Sequence, residues 1–289
     1  MNNKENKIDS LRQEIDAIDA HMHDLLQKRV SLVAEIAAYK REHNLKVSVP
    51  SREAVLLRRL CERHTGALDQ TTLVQMWREM IGSLTLMQQP LKTAVALIDN
   101  NDRQIVVENA RDYFGIVFPF IEANNAHSAV GLLREGKADF AVVPFPDEQE
   151  KQSNPWWLAL QNRLNDPFKI LVKLPFINVK DTDKDKADNP CLVLGRFDYE
   201  SSGDDNSFIF IEADPQISRG RITELARTHD MPPLSLNTQQ IRDAEKTHHL
   251  LEVRGFVEED DKRLKTFKKD LKDRKAVIFV AGGYPVPMG

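Results

Sequence analysis

Apolar residues recur at steps of four and three positions along the first part of the chain. The positions are Leu11, Ile15, Ile18, Met22, Leu25, Leu32 and Ile36. No Pro or Gly occurs between residues 9 and 43, so this heptad pattern predicts one helix roughly 50 Å long. A helix of that length extends beyond any small domain. We therefore expect a second copy of the chain to cover the apolar seam, in an intertwined helical dimer.

Two shorter helical patterns follow. Pro50 restricts the residue before it to extended geometry, and a second helix is predicted over residues 52–64. A third helix begins near Asp69 and ends before Pro90, because proline cannot continue a helix. Residues 1–90 are therefore predicted to form an all-α domain of three helices.

After residue 90 the pattern changes to short β-rich runs that alternate with helical runs, which is typical of an α/β domain. Strands are expected at residues 93–98, 140–143, 169–172 and 191–194. The last part of the chain has the order strand, helix, strand, strand, helix, strand, at residues 207–212, 218–228, 234–237, 249–256, 261–272 and 276–281. This order indicates a ferredoxin-like βαββαβ unit. The predicted domains are the helical domain at residues 1–90, a reduced α/β domain at 91–200 and the ferredoxin-like unit at 201–289.

Composition and charge exclude several function classes. The net charge of −4 argues against nucleic acid as a partner, because phosphate binding needs a clustered positive surplus. No stretch approaches the roughly 18–20 apolar residues of a membrane span, and the first residues lack the apolar run of a secretory signal. A cytoplasmic protein without membrane contact is therefore expected. Cys61 and Cys191 have no nearby partner, so neither a disulfide nor a metal site is expected.

Two cations interrupt the apolar seam of the first helix. Beyond Leu25 the seam continues through Arg29, Leu32, Ile36 and Lys40. A desolvated cation needs an opposite charge or several hydrogen bonds, and no Asp or Glu occupies these seam positions, so a bound anion is one explanation. Arg29 and Lys40 are close to three turns apart, which directs both side chains into one pocket. The alternatives are that Arg29 pairs with a neighbouring helix or reaches water, and that Lys40 complements the helix dipole.

Three further polar residues fit the same pocket. The apolar stripe of the third helix continues to Gln88, a polar donor. At the start of the second helix, Arg52 and Glu53 place a cation beside a carboxylate, where the helix dipole also favours anions. Taken singly, Gln88 is most simply a solvated helix end, and Arg52 and Glu53 are ordinary first-turn residues. Together with Arg29 and Lys40, they predict a site for a compact molecule with two negative charges.

Three segments resemble the all-helical chorismate mutase family, in order and at the family's spacing. They read SLRQEIDAIDAHMHDLLQKRVSLVAEIAAYK, PSREAVLLRRL and WREMIGSLTLMQQ. The resemblance implies an isomerase that rearranges chorismate to prephenate in aromatic amino acid biosynthesis, without metal or cofactor. It also implies that Arg12 reaches into the partner protomer's site, that Arg29 and Arg52 hold the substrate carboxylates, that Lys40 and Gln88 face the ether oxygen, and that Glu53 holds the ring hydroxyl.

Two positions of the implied substrate-binding set depart from the family pattern. Val49 stands where the family has an acidic residue before its Arg-Glu pair. Leu84 stands where the family has a small hydroxyl residue one turn before the glutamine. A shift of one residue would pair Thr85 with Gln89 instead, and we favour Gln88 because it continues the apolar stripe.

The region after residue 90 resembles prephenate dehydratase in the strings ENARDYFG and AVGLLREGKADFAVVPFPDE, and the order of the last elements resembles an ACT domain. The Thr-Arg-Phe string of the dehydratases is replaced by NPCLVLGRF, and the strings by which ACT relatives bind phenylalanine are absent. We therefore expect a catalytically degenerate module. The first hypothesis is a dimeric chorismate mutase. The others are a bifunctional chorismate mutase and prephenate dehydratase, and a non-catalytic regulatory or binding protein on a mutase scaffold.

Overall fold

The chain folds into two compact units. A computed structural model describes residues 2–45, 50–97, 103–147, 155–162, 167–177, 189–240, 245–273 and 275–288. The first unit comprises Met1–Val47 and Leu84–Pro90, and the second comprises Ser48–Ser83 and Leu91–Gly289. Val49, one of the predicted substrate-binding positions, lies outside the described residues.

Three helices form the N-terminal region, as predicted. They are α1 (Asn2–Glu42), α2 (Pro50–Arg63) and α3 (Gln70–Gln88). With 41 residues, α1 is roughly 60 Å long at the usual rise per residue. The α3 helix follows Asp69, whose carboxylate accepts a hydrogen bond from the backbone N of Thr71 at 2.8 Å and so caps the first turn. Among the described helices, none is long and apolar enough to cross a membrane.

The apolar seam of α1 is exposed in the single chain. Ile15 is 56% exposed and Ile18 is 58% exposed, and the other seam residues are similarly open. A different face of α1 is partly covered, and it carries Arg29, Val33, Ala37 and Lys40. These residues follow one another at steps of four, four and three, so they share one side of the helix. The helix therefore has an apolar face open to solvent and a covered face that carries both predicted cations.

A nine-stranded mixed sheet lies in the second unit. Its strands are β1 (Thr93–Ala96), β2 (Phe120–Ala123), β3 (Phe140–Pro144), β4 (Lys169–Leu174), β5 (Cys191–Gly195), β6 (Asp205–Ala213), β7 (Pro233–Gln240), β8 (Thr247–Arg254) and β9 (Val277–Pro285). They lie in the order β2-β1-β3-β5-β4-β9-β6-β8-β7. The parallel pairs of β1 with β2 and β3 are connected through α4 (Arg103–Phe114) and α5 (Ala126–Arg134).

The four strands predicted between residues 93 and 194 are confirmed as β1, β3, β4 and β5, and β2 is an addition. β2 has four residues at the edge of the sheet, and of these only Ala123 is buried. A run this short and this exposed carries no clear alternation of apolar and polar residues, which is why the sequence pattern did not indicate it.

The last elements form the predicted ferredoxin-like unit. β6, α6 (Arg219–Thr228), β7, β8, α7 (Lys262–Asp270) and β9 follow one another, and the strands pair antiparallel in the order β9-β6-β8-β7. This unit continues the rest of the sheet where β4 pairs with β9, at Ile170 and Gly282. A Cβ on Gly282 would lie 2.2 Å from the carbonyl oxygen of Ile170, so the close approach of these strands requires glycine.

Candidate active site

The predicted site residues are divided between the two units. Arg12, Arg29, Lys40, Leu84 and Gln88 belong to the first unit. Arg52 and Glu53 belong to the second.

Arg29 lies on the covered face of α1 with an unsatisfied guanidinium nitrogen. Its Nη1 is buried, and within the described residues it has no hydrogen-bond partner. Burial lowers the pKa of Arg29, because desolvation disfavours the charged form. Since an arginine still keeps its charge at neutral pH, this nitrogen is a donor and a cation that an anionic ligand would stabilise.

Lys40 lies on the same face as Arg29, in the last turn of α1. Eleven residues correspond to about 1,100° of helix rotation, or roughly three turns, and to about 16 Å along the axis. Both side chains are half-buried. The two long side chains can therefore contact separate groups of one ligand that lies between them.

Gln88 is the last residue of α3, and its side-chain amide is partly satisfied. Its Nε2 donates to the carbonyl oxygen of Leu84 at 3.2 Å, while within the described residues its buried Oε1 has no partner. Gln89 is exposed, whereas Gln88 is half-buried. Leu84 itself is only 6% exposed, so an apolar side chain occupies the position where the family has a hydroxyl.

Arg12 is exposed on α1. Its side chain is 72% exposed, and its Nη1 lies 3.4 Å from Asp9 Oδ1 one turn earlier. An exposed ion pair of this kind contributes little to stability. Arg12 therefore remains accessible to another molecule.

The second unit holds the Arg52-Glu53 pair in the first turn of α2. The side chain of Arg52 is exposed, whereas that of Glu53 is 16% exposed. Oε2 of Glu53 accepts a hydrogen bond from Nη1 of Arg78 at 2.7 Å. The carboxylate that was predicted to meet a substrate hydroxyl is therefore oriented by a cation of α3.

Arg78 is a buried cation with several partners. It is 3% exposed, and its Nε donates to the backbone carbonyl of Tyr113 at 2.6 Å. Its guanidinium carbon lies 3.7 Å from the centre of the Tyr113 ring, a cation–π geometry. Burial acts to lower the pKa of Arg78, but Tyr113 and Glu53 outweigh it, and the pKa is raised. Burial, and then the charge of Glu53, raise the pKa of the Tyr113 phenol, so this group stays neutral.

Sequence reasoning missed Arg78. The apolar stripe that predicted α3 ran through Trp77 and Ile81, whereas the buried face of the helix carries Val74, Arg78, Ile81 and Thr85. The steps of four, three and four along this second stripe were a usable signal, because they place an arginine among buried positions.

The comparisons with known proteins agree with the first resemblance. Residues 11–89 match the model of the family described as chorismate mutase type II. The chain is 26% identical over 148 residues to a bifunctional chorismate mutase/prephenate dehydratase of Aquifex aeolicus, an alignment that covers 50% of this chain and 40% of that protein. It is 29% identical over 79 residues to a 4-amino-4-deoxychorismate mutase of Streptomyces venezuelae, which covers 27% of this chain and 77% of that protein.

The chain was also superposed on solved structures, among them the prephenate dehydratase from Streptococcus mutans. The TM-score is 0.46 at 12% sequence identity, and the superposition covers 68% of this chain and 97% of that chain. The alignment with the bifunctional relative spans less than half of that protein's length.

Proposed function

We propose that this chain, whose residues 11–89 match the chorismate mutase type II family model, rearranges chorismate to prephenate. The observation that carries the proposal is the buried Nη1 of Arg29, which has no partner among the described residues. A cation held in this state lowers its free energy when a carboxylate binds, and chorismate has two carboxylates. Family membership and an unsatisfied cation at the predicted position therefore support the same ligand.

The proposed chemistry requires conformation and charge, without metal or cofactor. Arg29 and Arg52 would hold the two carboxylates and so keep the substrate in its reactive conformation. This lowers the part of the activation free energy that comes from orienting the substrate. As the carbon–oxygen bond of the ether breaks, negative charge grows on the oxygen, and Lys40 and Gln88 would donate to it. Leu84 offers no hydroxyl to this oxygen, because its side chain is apolar.

Glu53 would accept the hydrogen bond of the substrate ring hydroxyl. Val49 offers no carboxylate to share this contact, because its side chain is apolar. The proposal therefore places the recognition of the hydroxyl on Glu53.

The exposed seam of α1 supports the dimeric part of the proposal. Leu11 and Leu25 are 49% and 53% exposed, and a continuous apolar stripe over a helix of this length is unfavourable in water. A second copy of the chain along the seam would bury it and would bring Arg12 to the partner protomer's site.

Ile18→Glu is expected to convert a dimer to monomers in sedimentation velocity. Gln13→Glu, which adds the same carboxylate away from the seam, should leave the dimer intact, and a monomer in the unaltered chain at micromolar concentration contradicts this part.

We also propose three points that rest on the sequence alone. The chain is divided into domains at residues 1–90, 91–200 and 201–289. It is located in the cytoplasm and has no nucleic-acid or membrane partner, and its C-terminal region has no catalytic activity of its own. The bifunctional alternative predicts that prephenate is converted to phenylpyruvate by the same chain. The non-catalytic alternative predicts chorismate binding without turnover.

The test is the consumption of chorismate by the full chain and two matched variants. Arg29→Ala is expected to lower kcat/KM by about 100-fold, because it removes charge-assisted hydrogen bonds to a carboxylate. Arg41→Ala, which removes an exposed arginine of the same helix, should leave kcat/KM unchanged. Binding without turnover, measured by calorimetry with chorismate, would reject the enzyme in favour of the binding protein.

A further inference from the structure

We propose that Arg78 is a positioning residue that orients Glu53 for the substrate, and that its own position depends on Tyr113, outside the mutase family segment. The inference rests on the proposed function, since Glu53 is the residue that would accept from the ring hydroxyl. Arg78 does not touch the substrate in this role. It acts through the carboxylate.

The carboxylate of Glu53 is held from its buried side and stays partly accessible. Arg78 Nη1 engages Oε2 at 2.7 Å, and the Tyr113 phenol also hydrogen-bonds the carboxylate, whose two oxygens together offer about four lone-pair sites. The side chain of Glu53 is 16% exposed, compared with 4% for Arg78. Glu53 is therefore reached from outside, whereas Arg78 is behind it. A carboxylate fixed by a buried cation loses little freedom when it accepts a hydrogen bond, because its orientation is already set.

Arg78 is in turn fixed from two directions. Its Nε is bound to the carbonyl oxygen of Tyr113, and the Tyr113 ring lies against the plane of the guanidinium. A buried cation needs partners for its donors, and these contacts satisfy Nε and place an aromatic face against the charge. Because the guanidinium is a rigid plane, fixing Nε also fixes the direction of Nη1 toward Glu53.

Tyr113 lies at the end of α4, which is held against α3 by neighbouring contacts. Oε2 of Glu79 accepts a hydrogen bond from the backbone N of Ile116 at 3.0 Å. Gly82 approaches so closely that an added Cβ would lie 1.9 Å from the carbonyl oxygen of Phe114. The carbonyl of Tyr113, which accepts from Arg78, therefore belongs to a segment that packs closely against α3, the helix that carries Arg78. Since residues 11–89 end before this segment, the mutase family segment does not contain everything that orients Glu53.

The experiment measures kcat and KM for the full chain, Glu53→Gln, Arg78→Met and the double variant. The two single variants are each expected to lower kcat/KM by about tenfold or more, and the double variant should lose no more than Glu53→Gln alone. A second substrate, 4-amino-4-deoxychorismate, carries an amine in place of the hydroxyl. The ratio of kcat/KM for the two substrates should change in the same direction in both single variants. Arg63→Met, which removes an exposed arginine of α2, should change neither quantity.

Arg78→Lys keeps the cation but loses the planar contact to Tyr113, and it should recover part of the activity lost in Arg78→Met. Circular dichroism and thermal unfolding show whether each variant is folded. If Arg78→Met is unfolded, the inference is tested by the activity of Arg78→Lys and by its ratio of kcat/KM for the two substrates. Losses that multiply in the double variant, or an unchanged substrate ratio in the folded Arg78 variant, overturn the inference while leaving the mutase intact. Absence of chorismate turnover in the unaltered chain overturns the proposed function and the inference together.

Discussion

Arg58 and Ser202, which are 144 positions apart in the chain, are joined by two hydrogen bonds. Nη1 of Arg58 donates to the carbonyl oxygen of Ser202 at 3.2 Å and to its Oγ at 2.9 Å. Nη2 donates to the carbonyl oxygens of Asp204 at 2.8 Å and Val286 at 3.0 Å. A single side chain of α2 thus satisfies three backbone carbonyls beside β6 and β9. Within the second unit, α2, which lies in the segment that matches the chorismate mutase model, is attached to the ferredoxin-like part.

Removing this arginine should destabilise the second unit. Arg58→Ala leaves the three carbonyls without their donor, so we expect the free energy of unfolding to fall by about 2–3 kcal/mol. Urea denaturation followed by circular dichroism measures the change. Arg59→Ala removes the exposed neighbour and is expected to change it by less than about 0.5 kcal/mol. Equal effects of the two substitutions would contradict the structural role of Arg58.

Two helical glycines should respond to alanine in opposite ways. In Gly82→Ala, the new Cβ meets the carbonyl oxygen of Phe114 at 1.9 Å, and relieving that clash is expected to cost about 2 kcal/mol or more of stability. Gly131 in α5 has nothing within 4 Å of the same position, so Gly131→Ala should stabilise the protein by about 0.5–1 kcal/mol. Thermal unfolding of the two variants gives the sign directly. A stable Gly82→Ala protein would show that α3 and the end of α4 are not tightly apposed.

The two adjacent glutamines at the end of α3 should differ in their effect on catalysis. Gln88 is half-buried with an unsatisfied Oε1, whereas Gln89 is exposed. We expect Gln88→Ala to lower kcat for chorismate by about 10–100-fold, because a donor to the ether oxygen is lost. Gln89→Ala should behave like the unaltered chain. Steady-state kinetics at saturating chorismate separates the two positions, and a larger loss in Gln89→Ala would move the site by one residue.

His249 should make stability depend on pH below neutrality. Burial, together with the positive charges of Arg219 and His248, lowers the pKa of His249 to about 4, and its Nδ1 lies 2.9 Å from Thr238 Oγ1. The unfolded chain binds a proton at this residue near pH 6.5, and the folded chain does not. The contribution of the neutral imidazole is therefore fully present above pH 6.5 and decreases as the pH falls to about 4, with no further change below.

The free energy of unfolding, measured by urea denaturation between pH 7 and pH 4, should show this decrease. The linkage amounts to about 2–3 kcal/mol over the window. In His249→Gln, this part of the dependence of the free energy of unfolding on pH should disappear. His127→Gln, which changes an exposed histidine, should retain it. An unchanged slope in His249→Gln would mean that other groups produce the acid sensitivity.

The local pattern of the sequence was sufficient for the helices and for the ferredoxin-like order. The uninterrupted heptads of α1 and the alternation around β6 to β9 depend on spacing, which neighbouring residues specify. Arg29 and Lys40 were predicted as site residues because they interrupt a run of apolar positions, but the structure places them on the covered face of α1 and not on the exposed seam with Leu32 and Ile36. β2 was not found, because a short edge strand is stabilised by its partner β1 rather than by its own pattern.

Long-range packing accounts for what the sequence did not reveal. The pattern assigned α2 and α3 to a helical domain, whereas most of their residues pack in the unit that contains the sheet. Arg58 looks like an ordinary surface residue of an amphipathic helix until Ser202 is brought to it, and the spacing that places Arg78 among buried positions does not identify Tyr113 and Glu53 as its partners. Glu53 was predicted as a site residue, but the cation that orients it was not, because a buried charge is tolerated only where distant groups satisfy it. Those groups meet only in the folded chain.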